Sequence, residues 1–142
     1  MSAYKHILIG LDLSPESQQV VERVKSLFTE NAQKLSLIHV QEPLSFAYGG
    51  DIPMDLTDVQ NQLEERAKSR LKAIGEELNI ELEDQHVIIG QPSHEIHRFA
   101  TEHGVDLVIV GSHGRHGLSL ILGSTSTGVL HGSECDVLAV RV

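Results

Sequence analysis

The sequence has little of several features that would place a protein in a class at once. It contains one cysteine, Cys135, no tryptophan, 3 phenylalanines and 2 tyrosines. A single cysteine cannot form an internal disulfide, which excludes the disulfide frameworks typical of small exported proteins. The longest apolar runs, such as residues 107–110, fall far short of the roughly 18 residues that a membrane-spanning helix requires. The first residues also lack the basic start and long apolar stretch of a signal peptide, so we expect a cytoplasmic protein with no membrane span.

Basic residues are scarce as well. The chain has 11 Lys and Arg against 20 Asp and Glu, which gives a formal net charge of -9. Such a charge repels phosphate backbones at long range, and we therefore expect no nucleic-acid partner. With 142 residues, 40% of them hydrophobic and 22% charged, the composition is that of an ordinary globular protein. We predict a single domain over residues 1–142.

Short apolar runs typical of buried strands alternate along the chain with segments of helical periodicity. Strands are predicted over residues 5–11, 34–40, 85–90, 106–111 and 136–142. Helices are predicted from the turn at residue 14 to about residue 30, over 55–78, from 93 to 104 and over 124–131. Ser14 and Ser93 are the expected N-caps, and Gly104 is the expected C-terminal stop. Residues 41–54 form a long connection, which we predict to be mobile and to fold over a bound ligand.

This alternation predicts an α/β fold. Strands that alternate with helices favour right-handed crossovers and an open, mainly parallel five-stranded sheet with helices on both faces. In such sheets, ligands bind at the carboxyl ends of the strands, where the strand order reverses. Asp12, at the end of the first strand, and the loop that begins at Gly111 are therefore the candidate site. Asp12 has a second interpretation, in which its side chain only shapes the turn before Ser14 and Pro15.

The connection after the fourth strand carries the strongest chemical signal. Two clusters of small residues, at residues 111–117 and 123–126, flank a short apolar segment. Glycines allow close approach of the backbone to a ligand, and amides with Ser and Thr hydroxyls suit a phosphate. The alternative interpretation is that the glycines only form a tight turn. His113 and His116 lie inside the loop, where they either contact phosphate or stay solvated.

Several reaction classes have no matching motif. The sequence contains no Gly-x4-Gly-Lys-Ser/Thr loop, so the lysine of P-loop ATPases is missing and rapid hydrolysis is not expected. It also lacks a Gly-x-Ser-x-Gly elbow and a Cys-His signature of nucleophilic catalysis. His94 and His97 lack the spacing of a zinc helix. We assign no catalytic residue and no metal ligand.

Taken together, these motifs resemble one family along the whole chain. The resemblance covers HILIGLDLSPES at residues 6–17, Ile38-His39-Val40, Gly90-Gln91-Pro92, DLVIVGSHGRHGL at 106–118 and ECDVLAVRV at 134–142. On these residues, the chain resembles the universal stress proteins, whose signature joins a strand-terminal aspartate to a Gly-x2-Gly-x9-Gly-Ser/Thr loop. The resemblance implies the Rossmann-like fold of the adenine nucleotide alpha hydrolase-like class.

The resemblance also implies a ligand, ATP, accompanied by Mg2+. In nucleotide-binding members, the residues matching Asp12 and Val40 line the adenosine end of the nucleotide. The residues that hold ribose and phosphates match Gly111, Gly114, Gly123, Ser124 and Thr125. To these predicted nucleotide-binding residues we add Leu11, which precedes Asp12, and His113, which lies inside the loop.

One departure from the signature keeps three functions open. Gly114 and Gly123 are separated by eight residues, 115–122, rather than nine. The leading interpretation is a cytoplasmic stress-response protein that binds ATP and acts by changing its associations. The second is a dimeric adaptor of the same fold that binds no nucleotide, and the third is a slow ATPase or a protein that phosphorylates itself on a residue such as Ser124.

The last predicted strand suggests how the chain associates. It runs from Asp136 to Val142 with alternating apolar residues, and the family resemblance places it at a sheet edge. An edge strand has unpaired backbone groups, and isologous contacts are the commonest way in which soluble chains associate. We therefore predict a homodimer through this strand, together with a protein partner whose identity the sequence does not reveal.

Overall fold

Five parallel strands form a single sheet in the computed structural model. The structure describes residues 4–28, 33–43, 57–111 and 135–141. The strands are β1 (His6–Gly10), β2 (Lys34–Gln41), β3 (Gln85–Ile89), β4 (Leu107–Gly111) and β5 (Asp136–Val140). The helices are α1 (Ser17–Leu27), α2 (Thr57–Leu78) and α3 (Pro92–His103), and a short 3-10 helix covers Leu82–Asp84. The strand order is β3-β2-β1-β4-β5, which confirms the predicted open parallel sheet.

The sheet is covered on both faces, as the strand composition predicts. Alternate residues of β1 point to opposite sides: Ile7 and Ile9 join a core cluster with α1 and α2, while Leu8 joins a cluster with α3. Ile7, Leu8 and Ile9 are all 0% exposed. Burial of each such side chain contributes about 1.5–3 kcal/mol, so the two clusters hold the central strands rigidly beneath the loops that follow them.

Helix termini differ from the sequence predictions at two caps. Ser14 does not cap α1, because the helix begins at Ser17 and the Ser14 hydroxyl donates to the Asp12 carboxylate at 2.7 Å. Ser93 lies inside α3, whose N-cap is Gln91; the Gln91 side chain accepts the His94 amide at 2.7 Å. Pro is favoured at the first helical position, so Pro92 moves the cap to the residue before it.

Other predicted boundaries agree closely with the structure. Gly104 ends α3 in the left-handed conformation with a φ of 66°, which confirms it as the C-terminal stop. Helix α1 ends at Leu27, earlier than the predicted position near residue 30. The predicted helix 124–131 and most of the 41–54 connection lie outside the described residues. In the described parts of the chain, no helix is both long and apolar enough to cross a membrane.

Candidate functional site

Three predicted site residues meet at the carboxyl edge of the sheet. Gly10 is aligned with Ile38 of β2 on one side and with Val110 of β4 on the other. Continuing that alignment, Asp12 follows β1 at the level of Val40, while Gly111 ends β4 at the level of Leu11. The strand order reverses between β1 and β4, since β2 and β3 lie on one side of β1 and β4 and β5 on the other. This is the position at which parallel α/β sheets bind ligands.

The Asp12 carboxylate organises the turn that follows β1. Its Oδ1 atom accepts hydrogen bonds from the Ser14 amide at 3.0 Å, the Ser14 hydroxyl at 2.7 Å and the Ser17 hydroxyl at 3.0 Å. The structure therefore supports the turn-shaping interpretation of Asp12. Leu13, between Asp12 and Ser14, has a φ of 61°, a left-handed backbone conformation that residues other than glycine rarely adopt. We define residues 11–14 as the Asp12 turn.

A histidine that the sequence analysis did not select lies beside this turn. His39 of β2 is half-buried, and its Nδ1 atom lies 2.9 Å from the carbonyl oxygen of Leu11. Burial lowers the pKa of His39 below its ordinary value. The Leu11 carbonyl and the Asp12 carboxylate act in the opposite direction, while the Arg70 cation adds to the lowering. These effects show that Asp12, His39 and Arg70 share one electrostatic environment.

Arg70 reaches the same turn from α2. Its Nη1 atom donates to the carbonyl oxygen of Leu13 at 3.1 Å. Leu13 is partly buried and packs against the core cluster formed with α1 and α2. Sequence periodicity identifies α2 but does not indicate that an exposed arginine in its middle contacts a turn 57 residues earlier in the chain. Arg70 can therefore be identified from the packing of α2 against the turn, but not from any local sequence pattern.

A buried donor lies one residue beyond Val40. The side-chain nitrogen of Gln41 is buried, and no described residue supplies an acceptor for it. Next to it, the Gly90 amide donates to the Gln41 carbonyl at 3.0 Å, which joins the end of β3 to the end of β2. Buried polar atoms are normally paired, so this unpaired donor is a candidate contact for a ligand acceptor or water.

Comparison with known proteins decides the family. The family model described as Universal stress protein family matches residues 3–141. The chain belongs to the universal stress protein family. Universal stress protein A homolog 2 of Coxiella burnetii is 47% identical over 144 residues, which cover 100% of this chain and 98% of the relative.

Solved structures agree with this family assignment. The structure of MJ0577, a universal stress protein of Methanocaldococcus jannaschii, has a TM-score of 0.77 and 30% identity, covering 99% of this chain and 98% of that one. A universal stress protein in complex with cAMP has a TM-score of 0.59 and 25% identity, covering 98% of each chain. This chain therefore shares the Rossmann-like α/β fold of the family.

The structure locates only part of the predicted universal stress protein site. Leu11, Asp12, Val40 and Gly111 are described, and they lie at the carboxyl ends of adjacent strands. The remaining five predicted residues lie outside the described residues: His113, Gly114, Gly123, Ser124 and Thr125. The structure adds His39, Arg70 and Gln41 to the neighbourhood of the described four.

Proposed function

We propose that this universal stress protein binds ATP, or another adenine nucleotide, between Asp12 and the connection that follows Gly111. The observation that carries the proposal is the alignment of Asp12, Val40 and Gly111 at the carboxyl ends of three adjacent strands, where the strand order reverses. Membership of the family supports it. So does the relative that was solved in complex with cAMP, which is also an adenine nucleotide.

The described residues fit the nucleoside end of such a ligand. Asp12 supplies a carboxylate that the turn holds at a fixed place, and a hydroxyl of ribose is a suitable donor to it. The unpaired Gln41 nitrogen supplies a donor for a ring nitrogen or a hydroxyl oxygen. The backbone of Val40 has one N–H donor and one C=O acceptor, and an adenine ring offers both acceptors and donors that these groups can bind.

The phosphate end depends on the connection after Gly111. A chain with a net charge of -9 attracts no triphosphate at long range. Binding therefore relies on the amides of Gly114 and Gly123, the hydroxyls of Ser124 and Thr125, and His113. When bound, Mg2+ would neutralise part of the phosphate charge.

Nucleotide binding would act through association rather than through turnover. We assign no catalytic residue. We propose a cytoplasmic stress-response protein whose contacts with its twofold mate and with a protein partner change with the bound nucleotide. The observed edge position of β5 supports a homodimer through this strand.

The shortened loop favours one competing function. Eight residues rather than nine separate Gly114 from Gly123, and a connection that is too short for triphosphate would leave a dimeric adaptor of the same fold. Calorimetry with Mg-ATP, ADP, AMP and GTP separates the two. We expect binding of adenine nucleotides below millimolar concentration and weaker binding of GTP. No heat at millimolar ATP with well-folded protein would favour the adaptor.

A glycine substitution tests where the nucleotide lies. Gly114→Val adds a branched side chain where close approach of the backbone is expected, and it should abolish measurable ATP binding. Asp58→Asn, an exposed change in the first turn of α2, is the control and should leave affinity unchanged. Normal binding by Gly114→Val would place the nucleotide somewhere else on the protein.

The dimer has its own test. Removal of residues 139–142 deletes the end of β5, and we expect the protein to become monomeric or to unfold because Val140 is 4% exposed and belongs to the core. Ala139→Lys is the gentler variant, since Ala139 is exposed in the single chain. Light scattering should show a dimer for the wild type and monomer for Ala139→Lys. A wild-type monomer at micromolar concentration would refute the dimer.

A further inference from the structure

The carbonyl groups on either side of Asp12 are each held by a side chain from a different element. His39 of β2 contacts the Leu11 carbonyl at 2.9 Å, and Arg70 of α2 donates to the Leu13 carbonyl at 3.1 Å. The Leu11 amide is also fixed, because it donates to the Ile38 carbonyl at 3.0 Å. The backbone before and after Asp12 is thus anchored to two elements that are distant in sequence.

We propose that His39 and Arg70 are positioning residues that clamp the Asp12 turn in the conformation required for nucleotide binding. The inference deepens the proposed function and rests on it for the ligand. Neither side chain needs to touch the nucleotide. Their effect is transmitted through two backbone carbonyls to the carboxylate between them.

The conformation of the turn explains why a clamp is needed. Leu13 has a φ of 61°, and a left-handed conformation costs a residue other than glycine about 1–2 kcal/mol. Such a conformation persists only where the surroundings impose it. Arg70 bonds the carbonyl of this same residue, and the Asp12 carboxylate receives three donors from the residues that follow.

The chemistry of His39 suits the other half of the clamp. A carbonyl oxygen only accepts hydrogen bonds, so the Nδ1 atom that faces Leu11 must carry a hydrogen. That donor is present in both the neutral and the protonated ring, so the contact with Leu11 survives titration of His39. His39 also precedes Val40 on β2. Residues 39 and 40 together therefore position Asp12 and Val40, the two residues of the proposed adenosine end.

Paired variants separate the hydrogen bond from the bulk of each side chain. His39→Asn retains a donor near the position of Nδ1, whereas His39→Leu removes it. Arg70→Lys retains a cationic donor, whereas Arg70→Met keeps only the apolar stem. The matched controls are His86→Leu, a half-buried histidine on the neighbouring strand β3, and Lys72→Met, an exposed cation on α2.

The first measurement needs no nucleotide. The Ser14 amide donates to the Asp12 carboxylate, so its hydrogen exchange reports whether the turn is closed. We expect His39→Leu and Arg70→Met each to accelerate this exchange by roughly ten-fold, the change that follows from losing one hydrogen bond of about 1.4 kcal/mol. His39→Asn, Arg70→Lys and both controls should exchange at nearly the wild-type rate.

The second measurement is the affinity for Mg-ATP by calorimetry. We expect His39→Leu to bind roughly ten-fold more weakly than wild type, with affinity restored in His39→Asn and unchanged in His86→Leu. A merely structural role would lower the melting temperatures of His39→Leu and His86→Leu alike without this selective loss and rescue. If His39→Leu fails to fold, the exposed Arg70 pair decides the same question.

Two results would overturn the clamp. The first is unchanged Ser14 exchange in both His39→Leu and Arg70→Met. The second is a loss of affinity in His39→Leu that His39→Asn does not rescue. A wild-type protein that binds no nucleotide would overturn the proposed function instead, and the exchange measurement would still decide whether the clamp exists.

Discussion

The amino and carboxyl ends of the parallel strands, called here the amino edge and the carboxyl edge of the sheet, are built differently. At the amino edge, the Asp106 carboxylate accepts the Lys5 amide at 2.8 Å and the His6 amide at 3.0 Å. The buried His6 ring contacts the His103 carbonyl through Nδ1 and the Ser36 hydroxyl through Nε2. These groups satisfy one another within the protein. At the carboxyl edge, the Asp12 turn is strained at Leu13, and the Gln41 nitrogen has no acceptor among the described residues.

The contrast between His6 and His39 shows what the difference means. Both rings place Nδ1 against a backbone carbonyl that is distant in sequence. His6 also uses its second nitrogen within the protein, whereas the described residues give His39 one hydrogen bond only. The amino edge therefore stabilises the fold. The described part of the carboxyl edge has unpaired polar groups and a strained backbone, which are typical of a ligand-binding site.

The largest expected effect is on stability at the amino edge. Asp106→Ala leaves two backbone amides without their carboxylate acceptor and should lower the free energy of unfolding by about 2–3 kcal/mol. Asp106→Asn retains an acceptor oxygen and should recover part of the loss. Asp84→Ala removes a partly exposed ion pair with Lys34 and should cost less than about 1 kcal/mol. Denaturant titration measures all three.

The same variants sharpen the comparison through binding. Folded Asp106→Ala should bind Mg-ATP as the wild type does, because its carboxylate lies at the opposite end of β1 from Asp12. A loss of affinity comparable with that of the Asp12 variants would contradict the division between a stabilising edge and a binding edge.

An intermediate effect is expected at Asp12. Asp12→Ala removes the acceptor of three hydrogen bonds and the charge, and it should weaken ATP and adenosine alike by about ten-fold or more. Asp12→Asn keeps an oxygen for the Ser14 amide and removes only the charge, so its turn should stay closed. If Asp12→Asn binds nucleotide with full affinity, the role of Asp12 is limited to shaping the turn.

The smallest expected effect is the pH dependence of stability. Burial is the main cause that lowers the pKa of His86. The nearby His103, Lys34 and His6 also lower this pKa, and only Asp84 raises it. The unfolded chain therefore takes up a proton first as the pH falls below about 6.5, and stability declines from that value downwards. His39, whose pKa is also lowered, contributes in the same direction.

A variant of His86 tests this pH dependence. His86→Asn should reduce the decline in the free energy of unfolding between pH 7 and 5 by less than about 1 kcal/mol, since the ring is partly exposed. It should leave ATP affinity unchanged. A decline that is steeper in His86→Asn than in the wild type would contradict the assigned direction of the shift.

The sequence predicted the sheet well because its signals are local. Runs such as residues 107–110 are apolar throughout, and Ile96, Phe99 and Ala100 recur at helical spacing, so the strands and the buried face of α3 followed directly. The N-caps at Ser14 and Ser93 were wrong because a competing acceptor lies nearby. Asp12 accepts the Ser14 hydroxyl, and the side chain of Gln91 accepts both the Ser93 hydroxyl and the His94 amide.

The candidate site was predicted only in part, for a physical reason. Asp12 and Gly111 lie at or just beyond strand ends, which can be identified from sequence, and the family resemblance supplied Val40. The contacts of His39 with Leu11 and of Arg70 with Leu13 span 28 and 57 residues. They depend on the order of the strands and on the packing of α2, neither of which any local pattern specifies.

An NMR titration of isotope-labelled protein with Mg-ATP tests the central claim most directly, because it reports both edges in one experiment. The account predicts the largest amide shifts at the Asp12 turn, Val40 and Gly111, with little change at Lys5 and His6. Largest shifts at Lys5 and His6, or no shifts at millimolar nucleotide, would contradict it.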